Sequence, residues 1–322
     1  MKPFLILAGF ALALLPLWVL ESFHLFQLTL AVIMALAVLG LNIVTGYNGQ
    51  ISLGHGAFFA VGAYATAIPM SLLDWSFWAT LPVSAVVCGV VGWGVGFPAL
   101  RLGGLYLALT TFALAVAVPQ ILKHKAVEAW TGGVQGLFLL KPEAPEWLKL
   151  SPDQYMYVVA LLVAGVCYLL TANLLRGRIG RAMMAVRDNP TAAEAMGMDL
   201  ASLKTRTFAV SAIITGMAGS LSAAVVEFVA PDSFTFILSI SLFVGMVVGG
   251  VGSILGSVFG GLFVLFVPNL AEAISRSAPG VIYGAILILF LFVLPDGVAG
   301  LVRRFTTKKR IIKPITPGRE TS

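Results

Sequence analysis

The sequence predicts an all-α, polytopic transmembrane domain, and three observations predict it. First, 59% of the 322 residues are apolar and 11% are charged, with a mean hydropathy of +0.98. Soluble domains carry about 25% charged residues, so this chain could not clothe itself in a polar surface. Second, apolar runs recur that are long enough for a hydrocarbon core roughly 30 Å thick. They fall near 4–20, 26–46, 57–73, 77–97, 103–121, 155–175, 207–229 and 277–295. Third, a further apolar stretch, 236–270, is too long for one helix and is broken by Gly249, Gly250 and Gly252. At roughly 20 residues per crossing the chain makes about nine or ten spans. They are helices, since a β-barrel would show segments of about ten alternating residues.

Taken in order, the first run follows Lys2 and reads as a retained helix. It exceeds a signal-peptide core, lacks a small-x-small cleavage site, and passes through Glu21–His24 into the next span. The second run ends in a glycine-rich polar break, Gly46-Tyr-Asn-Gly-Gln-Ile-Ser-Leu-Gly-His-Gly-Ala-Phe-Phe59. An ionisable residue at membrane depth is a functional candidate, so His55 is placed at a solute path or its gate, against the alternative of a hydrogen bond to unwound backbone. Asn48, Gln50 and Ser52 share that candidacy. Asn42, late in its span, is expected to make an interhelical hydrogen bond. Cys88 and Cys167 lie inside apolar runs and read as small buried hydrophobes. Arg101 marks a span end. Tyr106, Thr110 and Thr111 on the next helix either line a path or pack. Glu227 closes the 207–229 run and is expected to snorkel to the interface.

An odd number of crossings must fit between 236 and 302, so the 236–270 stretch divides into 236–250 and 253–270, followed by 277–295. Its break, Gly249-Gly-Val-Gly-Ser-Ile-Leu-Gly-Ser-Val-Phe-Gly260, echoes the first about 200 residues later. In both, an apolar span precedes the glycines and two follow, so the chain reads as two related halves. Paired Gly-interrupted segments point to a transport path in repeat-built transporters. At Gly252, Gly256 and Gly260 the small-xxx-small spacing favours close helix packing instead.

The formal net charge is +6, and its distribution argues for topology rather than nucleic acid. Six basic residues (Arg176, Arg178, Arg181, Arg187, Lys204, Arg206) lie between two spans, and seven (Arg303, Arg304, Lys308, Lys309, Arg310, Lys313, Arg319) follow the last. That is thirteen of the 20. The 123–154 loop is balanced, with Lys123, Lys125, Lys141 and Lys149 against Glu128, Glu143, Glu146 and Asp153. The positive-inside rule places 176–206 and the tail 303–322 in the cytoplasm and 123–154 outside. The domains are then a transmembrane unit, 1–302, and a basic tail, 303–322.

The cytoplasmic loop is patterned beyond charge. Asn189 before Pro190 is an N-cap with proline at the first helical position. Gly197 supplies a C′ stop, and Asp199 caps the next helical start. The enclosed helix, 190–196, is too short to persist alone. Its small residues suit insertion into a partner's groove.

This loop resembles the coupling loop of ABC importer permeases, whose Glu-Ala-Ala-type signature appears here as Ala193-Glu194-Ala195-Met196-Gly197. The order Gly-Arg-Ala-x-x-Ala-x-Arg-Asp-Asn-Pro-x-Ala-Ala-Glu-Ala-Met-Gly is similar to branched-chain amino-acid permeases, as is Gly46 to Tyr64. Arg101-Leu-Gly-Gly-Leu-Tyr106, Thr131-Gly-Gly-Val-Gln-Gly-Leu137 and Gly249-Gly-Val-Gly-Ser253 resemble the LivM-type subunit. One departure is Asp296 after Pro295, where the family pattern implies a basic residue. The resemblance implies a multi-pass protein of the bacterial inner membrane. It implies pairing with a homologous second permease, two ABC ATPases and an external solute-binding protein. ATPase coupling then falls to Arg187, Asp188, Asn189, Pro190, Ala193, Glu194, Ala195 and Gly197. Branched-chain amino acids are the implied solute, with urea, short amides and aromatic acids as alternatives within the family.

The sequence agrees by omission. No Gly-x-x-x-x-Gly-Lys-[Ser/Thr] loop is present, so ATP is expected on partner subunits and no cofactor or metal on this chain. A stand-alone ion-coupled transporter would carry charged residues mid-span for its coupling ion, and no convincing one is found. A membrane-embedded enzyme would need converging acid–base or metal groups, and none converges here.

Overall fold

The computed structural model describes residues 16–99 and 104–306. Most of the first predicted span (4–20), Arg101 and the tail beyond 306 lie outside the described residues. Among those described, nine helices are long and apolar enough to cross a membrane. They are α1 (Ser22–Leu41, continuing π-helically through Asn42–Tyr47), α2 (His55–Leu73), α3 (Phe77–Ala99), α4 (Gly104–Leu122) and α5 (Pro152–Arg176). After α6 (Arg178–Asp188) and α7 (Pro190–Ala195) come α8 (Leu200–Val226), α9 (Phe236–Gly249, within a span that starts at Pro231), α10 (Ile254–Ile274) and α11 (Pro279–Val293, within a span that runs to Val302). A last helix, α12, spans Gly297–Thr306.

The predicted division of 236–270 into two spans is found, with α11 supplying the third crossing. Counting alternate crossings, the break before α2, the break before α10 and the basic loop 176–206 all open at one end of the bundle.

The core is built around α8, which packs against α1, α2 and α3. Small residues let these backbones approach. No Cβ fits at Gly62 against Gly216, or at Gly219 against Phe59, which draws α2 and α8 into direct backbone contact. Lipid offers little hydrophobic drive for such pairing, so close packing and polar contacts carry it. Thr66 Oγ1 and Ser220 Oγ lie 2.5 Å apart across this seam, and the Ser84 hydroxyl donates to the Gly62 carbonyl at 3.2 Å. The predicted packing role of the second glycine set also holds at Gly256 and Gly260, which meet the backbones of Gly249 and Gly245. Both cysteines are buried within spans. α11, by contrast, buries none of its residues in this chain.

At the opposite end, loop 123–154 is stitched to the turn after α8. Strand β1 (Leu137–Phe138) pairs antiparallel with β2 (Phe228–Val229). Lys141 bridges Asp153 at 2.8 Å and Glu227 at 2.9 Å. Burial works to lower the Lys141 pKa, but hydrogen bonds and charge from Asp153 and Glu227 outweigh it and hold it above the usual range. Glu227 thus turns out of its span as expected, and its left-handed φ of +62° reverses the chain there.

Candidate functional site

The site is best built from the first break. The end of α1 loosens into a π-helical stretch, a geometry that recurs at functional positions. Within and just beyond it, the Asn48 amide donates to the Ile43 carbonyl at 3.2 Å and Gln50 to Val44 at 3.0 Å. The chain then runs through Ile51–Gly54 without helix, and its exposed backbone groups find side-chain partners. Thr45 Oγ1 donates to the Gln50 carbonyl at 3.0 Å, the Leu53 amide donates to Thr111 Oγ1 at 2.9 Å, and the Gly56 amide donates to Ser239 Oγ at 2.9 Å. Unwound backbone within a membrane requires such covering.

His55 is buried at the start of α2. Its Nδ1 lies 3.0 Å from Ser52 Oγ and its Nε2 2.6 Å from Ser211 Oγ. The Ser211 hydroxyl donates to the Gly40 carbonyl at 2.6 Å. With its one proton committed there, Ser211 accepts from Nε2–H, and Nδ1 accepts from Ser52. A neutral imidazole satisfies every bond of this relay, which ties α1, α2 and α8 together through one ring. Ser211 follows Arg206 by five residues, about 7.5 Å of helix rise. The break therefore enters the bundle from the basic end.

The two breaks meet. Asn42 Oδ1 accepts from the Gly252 amide at 2.8 Å, and Asn42 Nδ2 donates to the Ser253 carbonyl at 2.9 Å. Asn42 is the expected interhelical hydrogen bonder, and it joins segments about 210 residues apart. Ser253 Oγ in turn caps α10, accepting from the Gly256 amide at 3.1 Å. Replacing Asn42 by Leu should strand the Gly252 amide and lower stability by about 1–3 kcal/mol. Thr110→Val should leave it unchanged, because Thr110 is exposed and bonds only the Tyr106 carbonyl of its own helix. Thermal midpoints of the purified chain in detergent check this, and equal midpoints for both variants would remove the structural weight given to Asn42.

The basic loop reaches the same place. Arg187, at the end of α6, donates from Nη1 to the Gly46 carbonyl at 3.0 Å, and Gln50 Nε2 approaches the Lys204 carbonyl at 3.4 Å. Beyond Arg187 the predicted caps are present. Asn189 Oδ1 accepts from the Ala192 amide at 3.0 Å, and Pro190 opens α7. Gly197 at φ +83° closes it, with Gly197 N–H on the Glu194 carbonyl (2.8 Å) and Met198 N–H on Ala193 (3.1 Å), a Schellman pair. Asp199 caps α8 through the Ser202 amide at 3.0 Å. Ala193 is buried against the neighbouring helices, whereas Glu194, Ala195 and Met196 face outward.

The structure thus brings together Gln50, Ser52, His55 and Arg187, and it places Asn48, 2% exposed, beside them. It does not bring Tyr106 and Thr110 to them: both lie on an outward face of α4, with Tyr106 70% exposed. Thr111, one residue on, is the α4 side chain that faces the break. Ser211 and Ser239 were missed from the sequence. The available signal was a hydroxyl within an apolar span, which in lipid usually bonds a neighbouring helix. Both spans carry further hydroxyls, among them Thr207 and Thr215 in α8 and Ser241 in α9, so the pattern did not single these two out. No cluster of three or more His, Cys, Asp or Glu residues suited to a metal occurs among the described residues.

Comparison with known proteins bears on this arrangement. Residues 24–293 match the family described as branched-chain amino acid transport system / permease component. The chain is 30% identical over 298 residues to the high-affinity branched-chain amino acid transport system permease protein LivM of Escherichia coli K12, covering 85% of this chain and 69% of that one. It is 26% identical to BraD of Pseudomonas aeruginosa, covering 87% and 97%, and 27% identical to LivH of Escherichia coli K12, covering 84% and 92%. No solved structure matches. The match from 24 to 293 includes both breaks and the capped loop helix, and the chain belongs to the branched-chain amino acid transport permease family as a membrane-spanning permease component.

Proposed function

We propose that this chain imports branched-chain amino acids as one permease of an ABC transporter, paired with a homologous second permease, two ABC ATPases and an external solute-binding protein. The observation that carries the reading is α7. Six residues capped at both ends, with Glu194, Ala195 and Met196 turned outward, stand at the end of the bundle where both breaks open. Such a fixed, small-residue helix suits a groove on an ATPase. The docking segment is Arg187, Asp188, Asn189, Pro190, Ala193, Glu194, Ala195 and Gly197. The solute path is assigned to the break residues Asn48, Gln50, Ser52 and His55. Tyr106 and Thr110 are assigned to a face completed by the second permease. The relatives' names supply the solute class, and their two types, LivM and LivH, support a pair of unlike but homologous permeases. ATP belongs to the partner subunits, and this chain requires no cofactor.

Residues 1–302 form the membrane unit and 303–322 a basic tail, in the bacterial inner membrane with the basic loop and C-terminus cytoplasmic. Cysteine labelling tests the sidedness. In a background with Cys88 and Cys167 replaced, Lys125→Cys should react with an impermeant maleimide in intact cells and Arg178→Cys only after lysis; both parent residues are exposed. The reverse pattern would invert the map. Function is tested in proteoliposomes holding both permeases and the ATPases. Labelled leucine should accumulate only with ATP and loaded binding protein. Accumulation by this chain alone on an ion gradient would replace the proposal with a secondary transporter.

A further inference from the structure

We propose that Arg187 is the positioning residue that carries movement of the loop helix into the two breaks, by holding the carbonyl of Gly46. The inference rests on the ATP-driven reading above and adds to it the route by which the loop acts. Arg187 stands two residues before Asn189, the cap of α7. Its Nε and Nη2 both lie 2.9 Å from Asp188 Oδ1, while Nη1 reaches Gly46. A guanidinium holds its donors in one rigid plane, so Nη1 follows any shift of this α6–α7 corner. The stem is guided as well. Gly49, at φ +73°, has room for no Cβ because Arg187 Cγ would lie 2.7 Å from it.

The carbonyl that Arg187 holds is mechanically central. Gly46 lies in the last turn of the π-helical stretch, where helix carbonyls lack their own donors and a cation is favoured by the helix dipole. On its other side Gly46 meets the backbone of Gly252, whose φ of +71° belongs to the second break. Gly252 is bonded in turn to Asn42, one turn back on the first break. A displacement of Arg187 is therefore passed to both breaks through backbone contacts, with no flexible side chain between Gly46 and Gly252. Asn48, immediately beyond this stretch, is buried with neither atom of its side-chain amide paired to protein. An unpaired buried amide disfavours the arrangement that contains it, which inclines the break to move when the Arg187 contact is released.

The test is the ratio of leucine imported to ATP hydrolysed by the complete reconstituted complex. A merely structural role would lower the amount of complex, and uptake and hydrolysis together, without moving this ratio. Arg187→Ala should lower it about tenfold, and Arg187→Lys, which keeps the charge but loses the fork, a few-fold. Arg178→Ala, at the exposed start of α6, should leave it at the wild-type value. An unchanged ratio in Arg187→Ala would overturn the proposal. So would a wild-type ratio in Arg187→Lys if the alanine variant does not assemble, or failure of both to assemble, since the contact would then be structural. Failure of the underlying reading looks different: the wild-type complex itself would import without hydrolysis.

Discussion

Complexes carrying Glu194→Lys or Gly197→Leu are expected to lose ATP-driven uptake by about tenfold or more, the factor that 1.4 kcal/mol of lost docking produces. α7 has six residues, too few to hold a helix in water, so its geometry comes from its caps and its buried Ala193. Glu194 lies on the outward face, and reversing its charge acts on the partner contact without disturbing the caps. Gly197→Leu acts by another route. Nothing lies within 4 Å of the position a Cβ would take, so there is no clash. The cost is conformational: φ is +83°, and a side chain in the left-handed region costs about 1–2 kcal/mol. Relief of that cost would open the two Schellman hydrogen bonds and change the angle at which α7 is presented. Both positions lie outside the nine long apolar helices. Neither change therefore incurs the penalty of about 3 kcal/mol for a charge at mid-span, and chain levels in the membrane should hold. Uptake, ATPase recovery in pull-down and stimulation by loaded binding protein are the readouts. Wild-type uptake in both variants would sink the assignment of α7 as the docking helix.

Gly54→Val and Gly56→Val are expected to abolish most uptake, with Gly94→Val close to wild type. A Cβ on Gly54 would lie 2.7 Å from the Thr111 carbonyl oxygen, and one on Gly56 would lie 2.6 Å from Ser239 Oγ. The second also pushes against the Gly56–Ser239 hydrogen bond. Overpacking of this kind typically costs 1–3 kcal/mol, roughly 5- to 150-fold if it falls on one conformation of the break. At Gly94 a Cβ meets nothing within 4 Å. Gly92, two residues earlier in the same helix, would serve as a control by sequence alone. The structure rules it out, because its missing Cβ abuts Ala212 and lies 3.2 Å from the Ala209 Cα. Uptake normalised to membrane levels decides the matter. Equal losses at Gly54, Gly56 and Gly94 would remove the special standing of the first break.

The sequence alone determined the nine spans found among the described residues, including the division of 236–270, and the capped helix in the basic loop. These are short-range properties. Hydropathy over about 20 residues decides whether a segment crosses lipid, and a cap is decided by a side chain and an amide within three residues of each other. Asn189, Gly197 and Asp199 were legible for that reason. Tertiary structure alone decided that Asn42 reaches Gly252, that Arg187 turns inward to Gly46, and that Thr111 rather than Thr110 or Tyr106 faces the break. Those outcomes depend on how each helix is rotated about its axis. In a soluble protein an apolar stripe encodes that rotation, but helices such as α3 and α4 are apolar nearly all round, because one face meets protein and the other meets lipid. Their rotation is set by where small residues allow backbones to touch and where isolated hydroxyls find carbonyls, and both are properties of pairs of helices rather than of either sequence alone.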